Sequence, residues 1–189
     1  MKRIFATLFA SILLAGCQTL SGTNYGGSPS VNMSVPQIKR SEINFKNPNQ
    51  KSWIPSLNRF SDQPNSQVFL CQGLACPAQS MILYQTIFMA KSITPDCGCA
   101  LAIATELSKI YPKQGKIITK EPQLGSYKSF QTIFYSWTMT QDNKTTNSYV
   151  LWVFVGKNII VLEGRTSNSF SQKAVEHFLS MIEISEENS

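Results

Sequence analysis

Apolar residues are spread unevenly along this chain, and their spacing changes as the sequence proceeds. From Gln18 to about Asp62 they show no sustained period, and Ser, Asn, Gln, Gly and Pro dominate, as in Gly26-Gly27-Ser28-Pro29 and Asn47-Pro48-Asn49. Such a stretch buries too little apolar surface to offset its ordering entropy, which predicts a flexible tether. Trp53, Ile54, Leu57 and Phe60 stand out at its far end. They predict a short turn or helix docked on the adjoining domain, with a partner-binding motif as the alternative. Beyond them the pattern becomes strand-like. Gln67–Cys71 and Ser80–Met89 are rich in β-forming residues and are separated by Gly73 and Pro77, so they predict a hairpin.

Between Cys99 and Tyr111 the period switches. Leu101, Ala104, Leu107 and Tyr111 recur at helical spacing, Ile103 and Ile110 widen the face, and Pro112 stops the run. Asp96 lies near the start of this amphipathic helix. Four strand-like runs come next: Lys116–Thr119, Lys128–Met139, Ser148–Val155 and Asn158–Glu163. The second alternates around Ile133, Tyr135, Trp137 and Met139, whereas Tyr149–Val155 is apolar almost throughout. A strand apolar on both sides belongs at a sheet's centre or under covers on both faces. Gln141–Lys144 and Gly156-Lys157-Asn158 predict tight turns, which makes the series an antiparallel meander. Finally, Ser169-Phe170-Ser171-Gln172 fits a capping box opening a helix with Ala174, Phe178, Met181 and Ile182 on its apolar face.

The predicted fold class is therefore α+β, an antiparallel β-sheet with two helices packed on it. The order of helix, meander and closing helix over roughly Gln67 to Ile184 resembles the PsbP/DcrB-like fold, found in a photosystem extrinsic protein and in bacterial envelope lipoproteins. That resemblance rests on element order and implies no active site, because fold does not fix function.

The first residues carry a different kind of signal. Met1-Lys2-Arg3 precedes an apolar run from Ile4 to Leu14, about eleven residues where a spanning helix needs roughly twenty. A basic start, a short apolar segment and small residues read as a secretory signal. Leu14-Ala15-Gly16-Cys17 resembles the lipobox of bacterial lipoprotein precursors. The resemblance implies diacylglycerol transfer to the Cys17 thiol, cleavage before Cys17 and N-acylation of the new terminus. At about 0.8 kcal/mol per buried methylene, several acyl chains hold a protein at a membrane where one does not. The expected division is a signal peptide at 1–16, a lipidated N-terminus and tether at 17–62, and one α+β domain at 63–189. Gln18 follows the cysteine where an aspartate would imply retention at the inner membrane. The resemblance then places the domain at the outer membrane, facing the periplasm; in a Gram-positive source it would be the outer face of the only membrane.

Charge and size narrow the partners. The 189 residues fit one domain plus a tail. Lys and Arg number 17 against 11 acidic residues, a formal +6 that falls to +4 without Lys2 and Arg3. These charges are spread without a dense basic run, so a nucleic-acid stripe is not expected. The expected partners are the membrane, through the lipid anchor, and another envelope protein.

With Cys17 assigned to lipid, Cys71, Cys76, Cys97 and Cys99 remain. An even set in an oxidising compartment predicts two disulfides, for which the sequence permits three pairings. Cys71 with Cys76 closes a feasible local loop, and Cys97 with Cys99 a small strained ring. The crossed pairings would staple the hairpin to the first helix and restrict the unfolded chain more, so they are the favoured expectation. Two sharper chemistries use the same residues. Cys97-Gly98-Cys99 at a helix N-terminus could be redox-active, although a Cys-x-x-Cys on a thioredoxin-like unit is missing. A four-thiolate zinc site would have spacings that match no common ribbon or finger.

Other candidate chemistry is sparse. His177 is the single histidine and sits at the edge of the closing helix's apolar face, where packing is a plainer role than general base. No Gly-x-Ser-x-Gly elbow is present to partner it. Glu163-Gly164-Arg165 could bind a carboxylate, with an internal or solvated pair as the plainer expectation. Neither a phosphate-cradling glycine loop nor a His/carboxylate metal cluster is visible, and the Asn143-Lys144-Thr145 sequon has little meaning in a bacterial lipoprotein. The sequence thus predicts a non-enzymatic envelope module that binds or supports another component, with no cofactor and no metal. A thiol-redox accessory protein using Cys97 and Cys99, or a small-ligand-binding lipoprotein, are the alternatives.

Overall fold

The computed structural model describes residues 44–45, 52–56, 66–72, 76, 80–89 and 92–184. The signal peptide, Cys17, Leu57 and Phe60 lie outside the described residues. The elements in chain order are β1 (Asn44–Phe45), β2 (Trp53–Pro55), β3 (Ser66–Cys71), β4 (Ser80–Phe88), α1 (Cys97–Ile110), β5 (Lys116–Tyr127), β6 (Phe130–Gln141), β7 (Lys144–Val155), β8 (Asn158–Thr166), α2 (Ser171–Met181) and β9 (Ile182–Glu183).

Strands β2 to β8 form one antiparallel sheet in the order β2-β3-β4-β8-β7-β6-β5, and β1 pairs separately with β9. The expected hairpin is β3–β4, and the expected meander is β5 to β8. A seven-stranded antiparallel sheet with two helices packed on it is an α+β fold. One helix covers each face. Val150, Trp152 and Phe154 of β7 point towards Ile103 and Leu107 of α1, while Leu151, Val153 and Val155 point towards Val175 and Phe178 of α2. Strand β7 is buried from Ser148 to Val155 without interruption, as its two-sided apolar pattern requires.

Local sequence sets the ends of these elements. Asp96 caps α1, its Oδ1 accepting from the Cys99 backbone N–H at 2.8 Å, so the helix begins at Cys97, four residues before Leu101, the first periodic position. Pro112 ends it through a single 3-10 turn, and Gly115 at φ 70° reverses the chain into β5. Asp142 and Asn143 both adopt positive φ between β6 and β7, the backbone that a two-residue hairpin turn with the strands' own twist demands.

Three expectations are corrected. Trp53 to Pro55 forms an edge strand on β3 rather than a turn or helix, and it falls within the stretch read as tether, as does β1. Strand β5 runs past Lys116–Thr119 to Tyr127 because Pro122 sits on an edge strand between register shifts, where its missing N–H breaks no ladder. Those shifts and Lys120 also blunt the edge against pairing with another chain. The capping box is not formed: α2 starts at Ser171 with Phe170 as its cap, and Asn168 Oδ1, not Ser169, accepts the Phe170 N–H at 3.1 Å.

Helix α2 lies closest to the sheet at Gly164 of β8. A Cβ built there would stand 2.6 Å from the Ser171 carbonyl oxygen and 2.7 Å from Val175 Cγ2, so a side chain would push the helix off the sheet. Gly164→Ala is expected to destabilise the domain by about 2 kcal/mol. The midpoint of urea unfolding checks this, with Gly98→Ala, whose nearest neighbour is an Asp96 side-chain oxygen at 3.2 Å, as the mild comparison.

Candidate functional site

The two helix layers do not cover equal lengths. Fourteen residues of α1 reach about 21 Å, whereas the twelve residues of β7 extend about 40 Å. Helix α1 ends where Tyr111 meets the Tyr135 and Trp137 rings, and beyond that point no helix among the described residues covers this face. One row of the sheet crosses it from edge to edge: Ile54, Leu70, Met81, Arg165, Ser148, Trp137 and Ile118 are successive partners across the seven strands.

The chain's own turn delivers a second cation to this row. Gly115 reverses the backbone so that the Lys116 N–H returns to the Tyr111 carbonyl at 3.0 Å. Lys116 Nζ then lies 4.3 Å from the Trp137 ring centroid and 4.7 Å from that of Tyr111. Arg165 approaches Trp137 as well, at 5.5 Å. Both are cation–π contacts, favoured here because the rings are already out of water.

Glu163 and Arg165 face this end from alternate positions of β8. Arg165 Nε donates to Glu163 Oε1 at 2.8 Å and Nη2 to Oε2 at 3.1 Å, and Ser148 Oγ donates to Oε1 at 2.9 Å. The side chains are 13% and 26% exposed, so the pair is mostly buried and its arginine end reaches solvent. Burial alone would raise the Glu163 pKa, but the Arg165 charge and hydrogen bonds, then Lys116 and Ser148, hold it below the ordinary value of 4.5. Burial works against the Arg165 charge too, and Glu163 outweighs it and raises the Arg165 pKa. Lys116 titrates below its usual range, because burial disfavours its ammonium more than Glu163 restores it.

Two tyrosines and one indole complete the wall. The Tyr111 and Tyr135 hydroxyls share a hydrogen bond of 3.1 Å, and burial first, then nearby negative charge, pushes both phenols up. Trp137 is 1% exposed and its indole Nε1 has no hydrogen-bond partner among the described residues. An unmet buried donor is uncommon and costs on the order of 1–3 kcal/mol.

The cysteines pair differently from the favoured expectation. Cys71 is bonded to Cys76, with Cα atoms 5.7 Å apart, and the hairpin is not stapled to the helix. The sheet itself is the reason. Cys71 packs with the α2-side core and Cys99 with the α1-side core, so the sheet stands between groups that would have to approach within about 7 Å. Cys97 is free and exposed at the start of α1, and Cys99 is buried beside it. The two are therefore not joined in a Cys97–Cys99 ring. With Cys71 and Cys76 oxidised, a four-thiolate zinc site is also lost, and among the described residues no cluster of three or more His, Cys, Asp or Glu is placed to hold a metal.

His177 holds structure together. Its Nδ1 accepts from Trp53 Nε1 at 3.1 Å, while Trp53 stands edge-on to Phe178 with centroids 5.4 Å apart. The histidine thus pins β2 to α2, on the opposite face of the sheet from the charged cluster. Among the described residues, no helix is long and apolar enough to cross a membrane. No protein-family model matches the chain, and no curated protein matches it. Of the cluster, the sequence drew attention to Glu163 and Arg165. Lys116, Trp137 and Tyr111 were read only as strand and helix residues, and the αL turn at Gly115 was the one local signal that the chain doubles back there.

Glu163→Gln should lower stability by about 2 kcal/mol, less than the roughly 3–5 kcal/mol of a fully buried pair, because Arg165 reaches water. Because its folded pKa lies below the unfolded one, the stabilisation from Glu163 is complete above the unfolded value and is lost as pH falls through the folded value. The wild-type advantage over Glu163→Gln should therefore shrink as pH is lowered from about 7 to about 3. Chemical denaturation across that range checks it.

Proposed function

We propose that this chain is a lipid-anchored lipoprotein of the bacterial envelope, with a PsbP/DcrB-like domain acting as a non-enzymatic binding or accessory module on the periplasmic face of the outer membrane. The observation that carries this reading is Leu14-Ala15-Gly16-Cys17 behind a basic, then apolar, leader. The Cys71–Cys76 disulfide supports it, since such bonds persist in oxidising compartments. Helices on both faces of an antiparallel meander support the fold assignment.

The half-buried cluster supports binding over bond-making. Its carboxylate is occupied by Arg165 and Ser148, which leaves Glu163 poorly placed to take a proton from a substrate. The sheet and both helices present such groups on a rigid frame. An envelope partner, held near the membrane by the same anchor, would meet this module at a raised effective concentration.

Expression of the full chain in a Gram-negative host with radiolabelled palmitate tests the anchor. The wild type should be labelled and fractionate with the outer membrane, and Cys17→Ala should lose the label and accumulate as precursor. An unlabelled wild type would sink the reading. In-cell crosslinking of the lipidated form, with identification of the captured protein, tests the accessory role.

A further inference from the structure

The geometry points to an acid-released latch at the edge of the sheet: a proton taken up by His177 breaks its bond to Trp53 and frees β2 from β3. This goes beyond the envelope-module reading and stands without it.

The latch is one hydrogen bond with a fixed polarity. Trp53 Nε1 donates to His177 Nδ1 at 3.1 Å, and an indole nitrogen can only donate. A neutral imidazole has one nitrogen that accepts, whereas an imidazolium has none. Turning the ring over restores nothing, because both nitrogens of the charged form carry a proton. Trp53 is 5% exposed, so its N–H finds little water once the acceptor is gone. The closed arrangement therefore admits only the neutral imidazole, and an open one admits both forms. His177 itself is partly exposed, which gives solvent protons access to the ring.

Little else holds β2. It is three residues long and lies at the end of the sheet, with β3 as its one neighbour. Pro55 has no N–H to give to that ladder. Bonds from the Ser56 N–H to the Val68 carbonyl at 2.8 Å and from the Gln72 N–H to the Ser52 carbonyl at 2.7 Å flank the pairing. Of the strand's side chains only Trp53 is buried, edge-on to Phe178. The indole that the latch holds is thus also the strand's apolar anchor.

The surroundings leave the imidazole as the trigger. Strands β2, β3 and β4 carry no acidic or basic side chain, and Cys71 is tied into its disulfide. Tyr84, Tyr127 and Tyr149 face the α2 side from the sheet as phenols, which acid leaves neutral. Glu163 and Arg165 lie on the opposite face, and Lys144 stands at the hairpin end of β7. On α2, Lys173 rests its Nζ 5.1 Å from the Phe170 ring centroid, and Glu176 accepts from Gln172 at 2.9 Å. Glu183 of β9 is exposed. Among the described residues none of these is ion-paired with His177.

Release changes what the sheet offers. Once β2 leaves, the outer edge of β3 presents the N–H and C=O groups that β2 had occupied, a template for an added strand. Acid thus opens one edge while β3 to β8 stay paired.

Hydrogen exchange of the full chain in detergent micelles tests this, followed by NMR from about pH 8 to about pH 5, where histidines change charge, and corrected for the intrinsic rate at each pH. Protection of the Ser56 and Gln72 amides should fall about tenfold or more on acidification, while the Val153 amide at the sheet's centre keeps its own. His177→Asn, whose side-chain oxygen stands near the place of Nδ1 and takes up no proton, should keep the seam protected throughout. Trp53→Phe retains a ring but has nothing to donate, so the seam should be weak at both ends of the range and lose its pH response. Unchanged protection at the acid end, an equal loss at Val153, or a response that survives in His177→Asn would each overturn the latch.

Discussion

Strand β7 is withdrawn from water on both sides over eight consecutive residues, Ser148 to Val155, and such a strand needs an apolar layer against each face. The two helices exist in the fold to meet that demand. Each is amphipathic, and neither has enough length to be stable alone in water. Their positions follow from which residues of β7 alternate to which side: Trp152 and Phe154 fix α1, and Leu151 and Val153 fix α2. Close approach on the second side further depends on Gly164, whose missing side chain lets the first turn of α2 touch β8.

A strand layer and a helix layer grow at different rates per residue, and this mismatch shapes the surface. Each residue adds about 3.3 Å to a strand but 1.5 Å to a helix, so a fourteen-residue helix cannot cover a twelve-residue strand. Beyond the end of α1 the face is built from Glu163, Arg165, Lys116 and Ser148, set against the buried Tyr111 and Trp137. The positive charges also stand beyond the carbonyl end of α1, where the helix dipole favours them.

Much of this was legible in the sequence because it depends on local periodicity. The β3–β4 hairpin, the meander, both helices, the Asp142-Asn143 turn and the two-sided burial of β7 all follow from spacing and turn chemistry. What was not legible depends on which face a residue finally occupies. Cys71 and Cys76 were expected to be cross-linked to Cys97 and Cys99, but Cys71 and Cys99 lie on opposite sides of the sheet. The strand-like run was legible only as far as Thr119, whereas β5 continues through Pro122 because it is an edge strand. Trp53 was recognisable as a docking residue, but its pairing with β3 and its bond to His177 span the length of the chain and leave no local mark. The charged cluster is hidden for the same reason: Lys116, Trp137, Ser148 and Arg165 belong to four strands, and only the register brings them into adjacent rows.

The way the chain enters this domain has a mechanical side. Asn44–Phe45 pairs with Ile182–Glu183, directly after α2, and the next described contact is β2, three residues held at the sheet's edge with Trp53 wedged against α2. Tension arriving from the N-terminal side therefore loads the weakest ladders first, two residues and then three, before it reaches the long strands. The domain has a frangible seam where the chain enters it. Parting it would bare the Phe69 and Phe178 surface on the α2 side, while the row that ends in Arg165 and Trp137 would lose only its outermost residue, Ile54. Force on the entering strands and the packing of the charged end are thus largely insulated from each other by the thickness of the sheet.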